Sequence, residues 1–470
     1  MDQACTRRRF LGACGAAAVA APALLHRRLQ AQPSSQLPSQ ASATQARPRP
    51  TPSQLTWQRD ELALFLHFGV NTFTNREWGD GREDPAIFAP DALDAREWAR
   101  AAKVAGARAM ILTAKHHDGF CLWPTATTRH GVVASPFRGG SGDVVREFTE
   151  ACRAEGLRAG LYLSPWDRNH PTYGDSPAYN DVYAAQLTEL LTRYGPIHEV
   201  WFDGANGEGP NGKRQVYDWP RVWALVRRLQ PEAVMFSDAG PDVRWIGNER
   251  GVAGETNWST VRPEIVPVPG LEGAEVTRSL QEGDRDGTVW RPGETDVSIR
   301  PGWFHHPAED ARVRSPENLE QLFFTSVGRN SKLLLNVPPT RTGRFHDTDL
   351  RHLGAMRERL DRQFANDLVA GSATWTAGDA VQQATVRLRE RRAVSVVDLR
   401  EEIAEGQRVA RYRLEGYDGS AWRVLHSGTT IGYRRLVRID GAPELEQVRV
   451  TVTETVEPPL PVMIGVYGEG

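Results

Sequence analysis

Two regimes of apolar spacing follow one another along this chain. From about residue 60 to about 365, short apolar runs alternate with helical patterns. The runs LALFLHFG (62–69), ARAMILTAKH (107–116), RAGLYLSPW (158–166), EVWFDG (199–204), AVMFSD (233–238) and KLLLNVPP (332–339) are continuous and of strand length. That is the signature of parallel strands buried on both faces. Between them DAREWARAAKVAG, SGDVVREFTEACRAEG, AYNDVYAAQLTELLTRYG and WPRVWALVRRLQ repeat apolar residues every three or four positions, which predicts amphipathic helices. Gly106, Gly156 and Gly195 close three of them, and Ser141 or Asp143 caps the second. No glycine-rich dinucleotide turn follows the first strand, so the repeated unit predicts a (β/α)8 barrel over residues 56–365 rather than an open doubly wound sheet. The sixth and seventh strands, near VRWIGNE (243–249) and ETDVSI (294–299), are weakly marked, and this half is expected to depart from ideal barrel geometry. The helical pattern SPENLEQLFFTSVGRN leads into the last strand.

Beyond the helical stretch DTDLRHLGAMRERLDRQFA the period changes to two. QQATVRLRE, AVSVVDLRE, QRVARYRLEGYDG, AWRVLHSG, RRLVRID and EQVRVTVTE alternate apolar and polar residues, with turn dipeptides at Asp418-Gly419 and Asp440-Gly441. This predicts a β-sandwich over residues 366–470. Its alternation leaves no catalytic cluster, so its expected role is structural.

Composition changes the picture mainly at the N-terminus. TRRRFLG (6–12), an apolar small-residue run and LQA resemble a twin-arginine export signal over residues 1–31, which places the protein in the periplasm or outside the cell. Cys14 precedes the apolar run instead of following it, which argues against a lipid anchor. Residues 32–55 are rich in Pro, Ser and Gln and are expected to be a disordered tether. Elsewhere no apolar run approaches the ~18 residues needed to span a bilayer, so no membrane insertion of the mature chain is expected. The net charge of −2 supplies no basic patch for nucleic acid. Outside the signal only Cys121 and Cys152 remain, too few for a disulfide framework or a zinc knuckle, and two separate buried thiols are expected.

Candidate chemistry gathers where the strands stop. His67, then KHHDGF (115–120), then Trp166 and Asp167, then Asp203, then Glu249 all sit at C-terminal strand ends, which a barrel brings to one face. Each has a plainer alternative: Asp203 before Gly204 as a turn opener, His67 as a satisfied core histidine, Trp201 and Trp303 as core aromatics. A zinc site at His116 and His117 is disfavoured because neighbours on an extended chain point to opposite faces and no third ligand sits at zinc spacing. DGANGEG lacks the acids of a calcium loop, so neither metal nor cofactor is expected. Carboxylates, histidines and tryptophans without nucleotide or metal motifs suit a carbohydrate, because indole covers the apolar face of a sugar while histidine and carboxylate bind its hydroxyls. Hydrolysis would then need two carboxyl groups.

At this point a resemblance becomes specific. LFLHFGVNTFTNREWGDG, TAKHHDGFCLWPT, GLYLSPWDRN, EVWFDGANGEGPNGKRQVYDW and DVSIRPGWFHH resemble, in order, blocks of the α-L-fucosidases of glycoside hydrolase family 29, a retaining family with a β-sandwich behind its barrel. The long block after Asp203 resembles the branch acting on α-1,3/1,4-linked fucose of Lewis-type glycans. The resemblance implies that Asp203 is the nucleophile, held at the barrel mouth by its apolar strand, with the following glycines letting substrate approach. It implies that His67, Glu77, Trp78, His116 and His117 hold fucose hydroxyls and that Trp201 and Trp303 wall the sugar, with Trp166 also at the site. For the acid/base the choice is Glu249, with Glu294 and Glu255 as alternatives. A non-catalytic fucose-binding protein on an inactive barrel and a broad-specificity α-L-fucosidase are the competing readings. Oligomeric state is not legible.

Overall fold

Eight parallel strands close a barrel in chain order: Leu62–Leu66, Ala109–Lys115, Arg158–Leu163, Glu199–Trp201, Val234–Ser237, Val243–Trp245, Gly293–Ser298 and Ser331–Asn336. The computed structural model describes residues 46–377 and 382–468, and these statements concern those residues. The export signal expected over residues 1–31 lies outside them, as do residues 32–45 of the expected tether.

The unbroken apolar runs are explained by how each strand sorts its side chains. Alternate residues point inward, where Phe65, Ile111, Tyr162, Trp201 and Phe236 form one cluster. Those between them, such as Leu64, Met110, Leu161, Val200 and Met235, pack against the surrounding helices. Tyr162 and Phe236 both stand opposite Trp201 in register, which puts the three rings in one layer inside the barrel. The helices form as their caps and faces dictate. Asp94 and Asp143 cap Ala95–Val104 and Val144–Glu155, and Gly156 ends the latter at φ 72°, where only glycine is unstrained.

Irregularity falls where the weak strands were. Only five residues, 238–242, join the fifth and sixth strands, with no helix between them. That tight link is held by Asp242, whose carboxylate accepts the Met235 N–H at 2.8 Å and pairs with Arg227 at 2.7 Å. The sixth strand then leads into a long excursion carrying a short antiparallel hairpin, Thr260–Val261 with Val289–Trp290, and the helix Ala274–Glu282.

One expectation is corrected at the chain's entry. Pro52–Arg59 is a helix, so the tether does not reach residue 55. Thr51 and Gln54 form a reciprocal capping box, and the buried Trp57 donates to Glu199 at 2.8 Å across the N-terminal end of the barrel. A capped helix with one buried indole outweighs the polar composition around it.

The sandwich follows as a five-stranded and a three-stranded antiparallel sheet. Their facing residues, among them Leu414, Val448 and Val450 against Val397, Leu399 and Val466, form a separate core. Every alternating segment read from the sequence is a strand, and Thr374–Ala377 and Met463–Tyr467 are two more. Gln407 and Thr430 of this domain bond Asn257 of the barrel, and Arg434 pairs with Glu61 at 2.9 Å, fixing the two together. Cys121 and Cys152 are buried free thiols.

Candidate active site

Asp203 lies two residues past the inward-facing Trp201, so its side chain is the next inward position above the aromatic layer. Tyr162 donates its hydroxyl to Asp203 Oδ2 at 3.2 Å, and the Ala205 N–H donates to Oδ1 at 2.8 Å. His117 Nε2 stands 4.0 Å from the same Oδ2. Only 4% of Asp203 is exposed, and fixed donors aim its carboxylate.

His117 belongs to a cluster of three histidines. The strand carrying His116 and His117 stops at Lys115, and a turn closed by the Gly119 N–H on the His116 carbonyl follows. The two rings therefore do not point to opposite faces, as an extended chain would place them: their centroids are 4.1 Å apart. His67 joins them 5.5 Å from His116 and 5.0 Å from Trp303. Beneath the turn the buried Lys115 ammonium spends its three hydrogens on Asp167, Tyr179 and Gln186 at 3.1, 2.9 and 2.9 Å. This pins the ends of the second and third strands in one geometry.

The remaining expected residues divide by position. Trp78, 44% exposed, stands edge-on to Trp166 and to His117 at 5.8 and 5.9 Å and forms the outer rim. Glu77 accepts the backbone N–H groups of Trp303 and Phe304 and lies 2.8 Å from His306 Nε2, so its carboxylate clamps the loop that carries Trp303. That hydrogen bond raises the His306 pKa above its usual value. Trp201 is 2% exposed, stacks on Phe236 at 4.1 Å and donates its indole N–H to Glu294 at 3.0 Å. It is the floor under the site, not a wall beside it.

Close packing accounts for the glycines after Asp203. A Cβ on Gly204 would come 2.4 Å from Asp238 Oδ2, one on Gly207 2.1 Å from the Trp166 ring, and one on Gly209 2.3 Å from Tyr173. They let the loop itself lie flat on its neighbours, and Trp166 Nε1 donates to the Glu208 carbonyl at 3.0 Å to hold it there.

Glu249 is half-buried in the loop that leaves the sixth strand, beside Asn248, which anchors that loop to Val252 and Gln281. Neither alternative carboxylate reaches the mouth. Glu294 occupies an inward position one layer lower, fully buried, with Lys332 3.3 Å from its other oxygen. Burial, with Glu199 close by, pushes its carboxyl well above the usual range. Glu255 pairs with Arg329 and Arg435 at the junction of barrel and sandwich.

Sequence reasoning missed Tyr162, which bonds Asp203, and Ser164 and Asn336, which lie 2.7 and 2.8 Å from ring nitrogens of His117 and His67. Asn336 left a signal, a lone amide ending the apolar run KLLLN, whereas Tyr162 looks like any strand aromatic. Among the described residues no group of three or more His, Cys, Asp or Glu side chains is gathered as a metal would need.

The model of the α-L-fucosidases matches residues 27–363. This chain belongs to the α-L-fucosidases of glycoside hydrolase family 29. Alpha-L-fucosidase 1 of Arabidopsis thaliana is 41% identical over 451 residues, covering 89% of this chain and 87% of its own. A solved glycoside hydrolase 29 family member from an unknown rumen bacterium is 40% identical, with a TM-score of 0.84 over 90% of this chain and 78% of that one. A Ruminococcus gnavus GH29 fucosidase solved in complex with fucose is 31% identical, with a TM-score of 0.81 over 90% of this chain and 96% of that one. The α-L-fucosidase is thus a glycoside hydrolase on a (β/α)8 barrel with a C-terminal β-sandwich.

Proposed function

We propose that the enzyme releases terminal L-fucose from α-1,3- and α-1,4-branched glycans with retention of configuration, using Asp203 as nucleophile and Glu249 as acid/base. The observation that carries this reading is the Asp203 carboxylate, fixed by Tyr162 and Ala205 at the barrel mouth within 4.0 Å of His117. Its attack on the anomeric carbon forms a β-linked glycosyl-enzyme while Glu249 protonates the leaving oxygen. Glu249 then takes a proton from water, which opens the ester and returns the α-anomer. The histidine trio faces the sugar's hydroxyls, and Glu77 holds the loop that sets Trp303 against its apolar face.

Support for the branched linkage comes from the rim. The loop over residues 204–218 is packed down on Trp166 and Tyr173, and the Gly270 N–H bonds Asp238 directly behind Gly204. A rigid wall beside the nucleophile can hold the sugars next to fucose and apply their binding energy in the transition state. The N-terminal arginine pair supports export to the periplasm or beyond.

A panel of α-1,2-, α-1,3-, α-1,4- and α-1,6-fucosides, followed by NMR, tests the whole reading. The expected result is fucose release chiefly from the α-1,3 and α-1,4 branches, appearing first as the α-anomer. First-formed β-fucose would overturn the double displacement, and equal rates on a simple aryl fucoside and a Lewis trisaccharide would overturn the linkage preference.

A further inference from the structure

Hydrogen bonds behind His67 and His117 run in one direction only. Asn336 Nδ2 donates to the Trp303 carbonyl at 2.8 Å and to Ser298 Oγ at 2.9 Å. A carbonyl cannot donate, which fixes the nitrogen end of the Asn336 amide. Its Oδ1 accordingly faces His67, accepting the backbone N–H at 3.2 Å and lying 2.8 Å from the ring Nδ1. Because that oxygen only accepts, His67 Nδ1 carries the hydrogen. His117 repeats the arrangement with different groups. Ser164 has one hydroxyl hydrogen and donates it to the Trp166 carbonyl at 2.7 Å. Only a lone pair is left for His117 Nδ1 at 2.7 Å, so this nitrogen is protonated too. Ser164 and Asn336 are both 0% exposed, and water does not compete for these bonds.

We propose that Asn336 and Ser164 are positioning residues that hold the hydrogen of His67 and His117 on Nδ1, so that Nε2 is the nitrogen with which each ring accepts from a hydroxyl of the fucose unit. The proposal rests on the sugar site centred on Asp203. The tautomer matters twice. Two acceptors select a sugar by the O–H groups it can donate. At His117, an Nε2–H would be drawn to the carboxylate 4.0 Å away and weaken it as a nucleophile.

Inhibition of the full chain by L-fucose and by its monodeoxy and monodeoxyfluoro analogues tests this. Fluorine accepts weakly and never donates, so it cannot satisfy a ring that accepts. At two sugar positions the fluoro analogue is expected to inhibit about 10-fold or more weakly than L-fucose, the loss of one good hydrogen bond. Ser164→Ala frees the His117 tautomer, so the fluoro penalty at one of these positions shrinks about 3-fold or more while the other stays. Ser164→Thr keeps a hydroxyl and restores it, and thermal melts establish that both variants are folded. Fluoro analogues binding within about 2-fold of L-fucose at every position would overturn the proposal, since the rings would then be donating. So would an unchanged pattern in folded Ser164→Ala. If L-fucose itself fails to inhibit, the sugar-site reading falls and takes this proposal with it.

Discussion

Buried carboxylates occur at both ends of the barrel, and the two ends treat them oppositely. At the N-terminal end Glu199 and Glu294 face one ammonium, Lys332, at 2.7 and 3.3 Å, with Trp57 closing the barrel over them and all three charged side chains unexposed. At the mouth Asp203 is held by a tyrosine hydroxyl and a backbone N–H beside a histidine, under a rim where Trp78 is open to solvent. An ammonium at the floor neutralises charge at the cost of desolvating three ions, and hydrogen bonds at the mouth orient charge without cancelling it. The second arrangement suits the nucleophilic role proposed for Asp203, because its charge is not cancelled by a counter-ion.

Removing the central residue from each end sharpens the contrast. Asp203→Ala is expected to lower kcat/KM by about four orders of magnitude or more, since no neighbouring group can form the ester. Its unfolding free energy should stay the same or rise, and azide should not restore the retained product. A variant keeping a tenth of wild-type turnover would remove Asp203 from its role. Lys332→Met should do the reverse, costing about 3–5 kcal/mol in denaturant unfolding because two buried carboxylates lose their counter-charge. The folded fraction should still turn over within about 10-fold of the wild type, a loss of no more than about 1.4 kcal/mol in the transition state. If Lys332→Met left stability intact and abolished activity, the floor would belong to the catalytic machinery.

How much of this the sequence disclosed depends on the range of the force involved. Strand positions, helix caps and the change of period at the sandwich are written in local patterning, and they appear where the patterning put them. Asp203 was legible because an acid closing a buried apolar run costs desolvation free energy that a turn alone does not offset. Depth was not legible. Glu294 and Asp203 are both acids beside apolar runs, and only the inward register of their strands puts one in the floor and the other at the mouth. The turn after Lys115 was equally hidden, and with it the convergence of His116 and His117. Glu77 resembles a sugar ligand in its motif, yet its bonds to Trp303, Phe304 and His306 arise from a segment more than two hundred residues away.

Glu249 tests the comparison through the acid/base role proposed for it, which would require it to exchange protons as the fully buried Glu294 cannot. Glu249→Ala should lower turnover of natural glycans by about 10²–10³-fold, the usual worth of general acid catalysis. Activated aryl fucosides, whose leaving groups need no proton, should suffer much less in the first step. Azide should accelerate the second step and yield α-fucosyl azide, since attack on a β-linked ester inverts it. Glu294→Ala showing this leaving-group dependence, with Glu249→Ala lacking it, would transfer the role to the floor and erase the distinction between the two ends.

The smallest expected effect concerns a buried acid at the mouth that lacks the floor's remedy. Asp118 is 1% exposed, takes hydrogen bonds from Phe120 N and Asn71 Nδ2 at 2.7 and 3.0 Å, and supports the turn that carries His116 and His117. Among the described residues no lysine or arginine pairs with it, and His116 Nδ1 is 3.9 Å away. Burial pushes its carboxyl up to about 7, with Glu83 adding to the shift. A folded state that binds the proton more tightly than the unfolded chain is favoured at low pH. Its contribution is complete below the ordinary aspartate value of about 4 and is lost as pH rises through about 7. Asp118→Asn is neutral at every pH, so the fall in unfolding free energy between pH 5 and pH 8 should be smaller in the variant by about 2–3 kcal/mol. Denaturant midpoints at the two pH values measure it. Parallel losses in wild type and variant would mean that Asp118 is as well compensated as Glu199, and that the two ends differ in chemistry but not in how they carry buried charge.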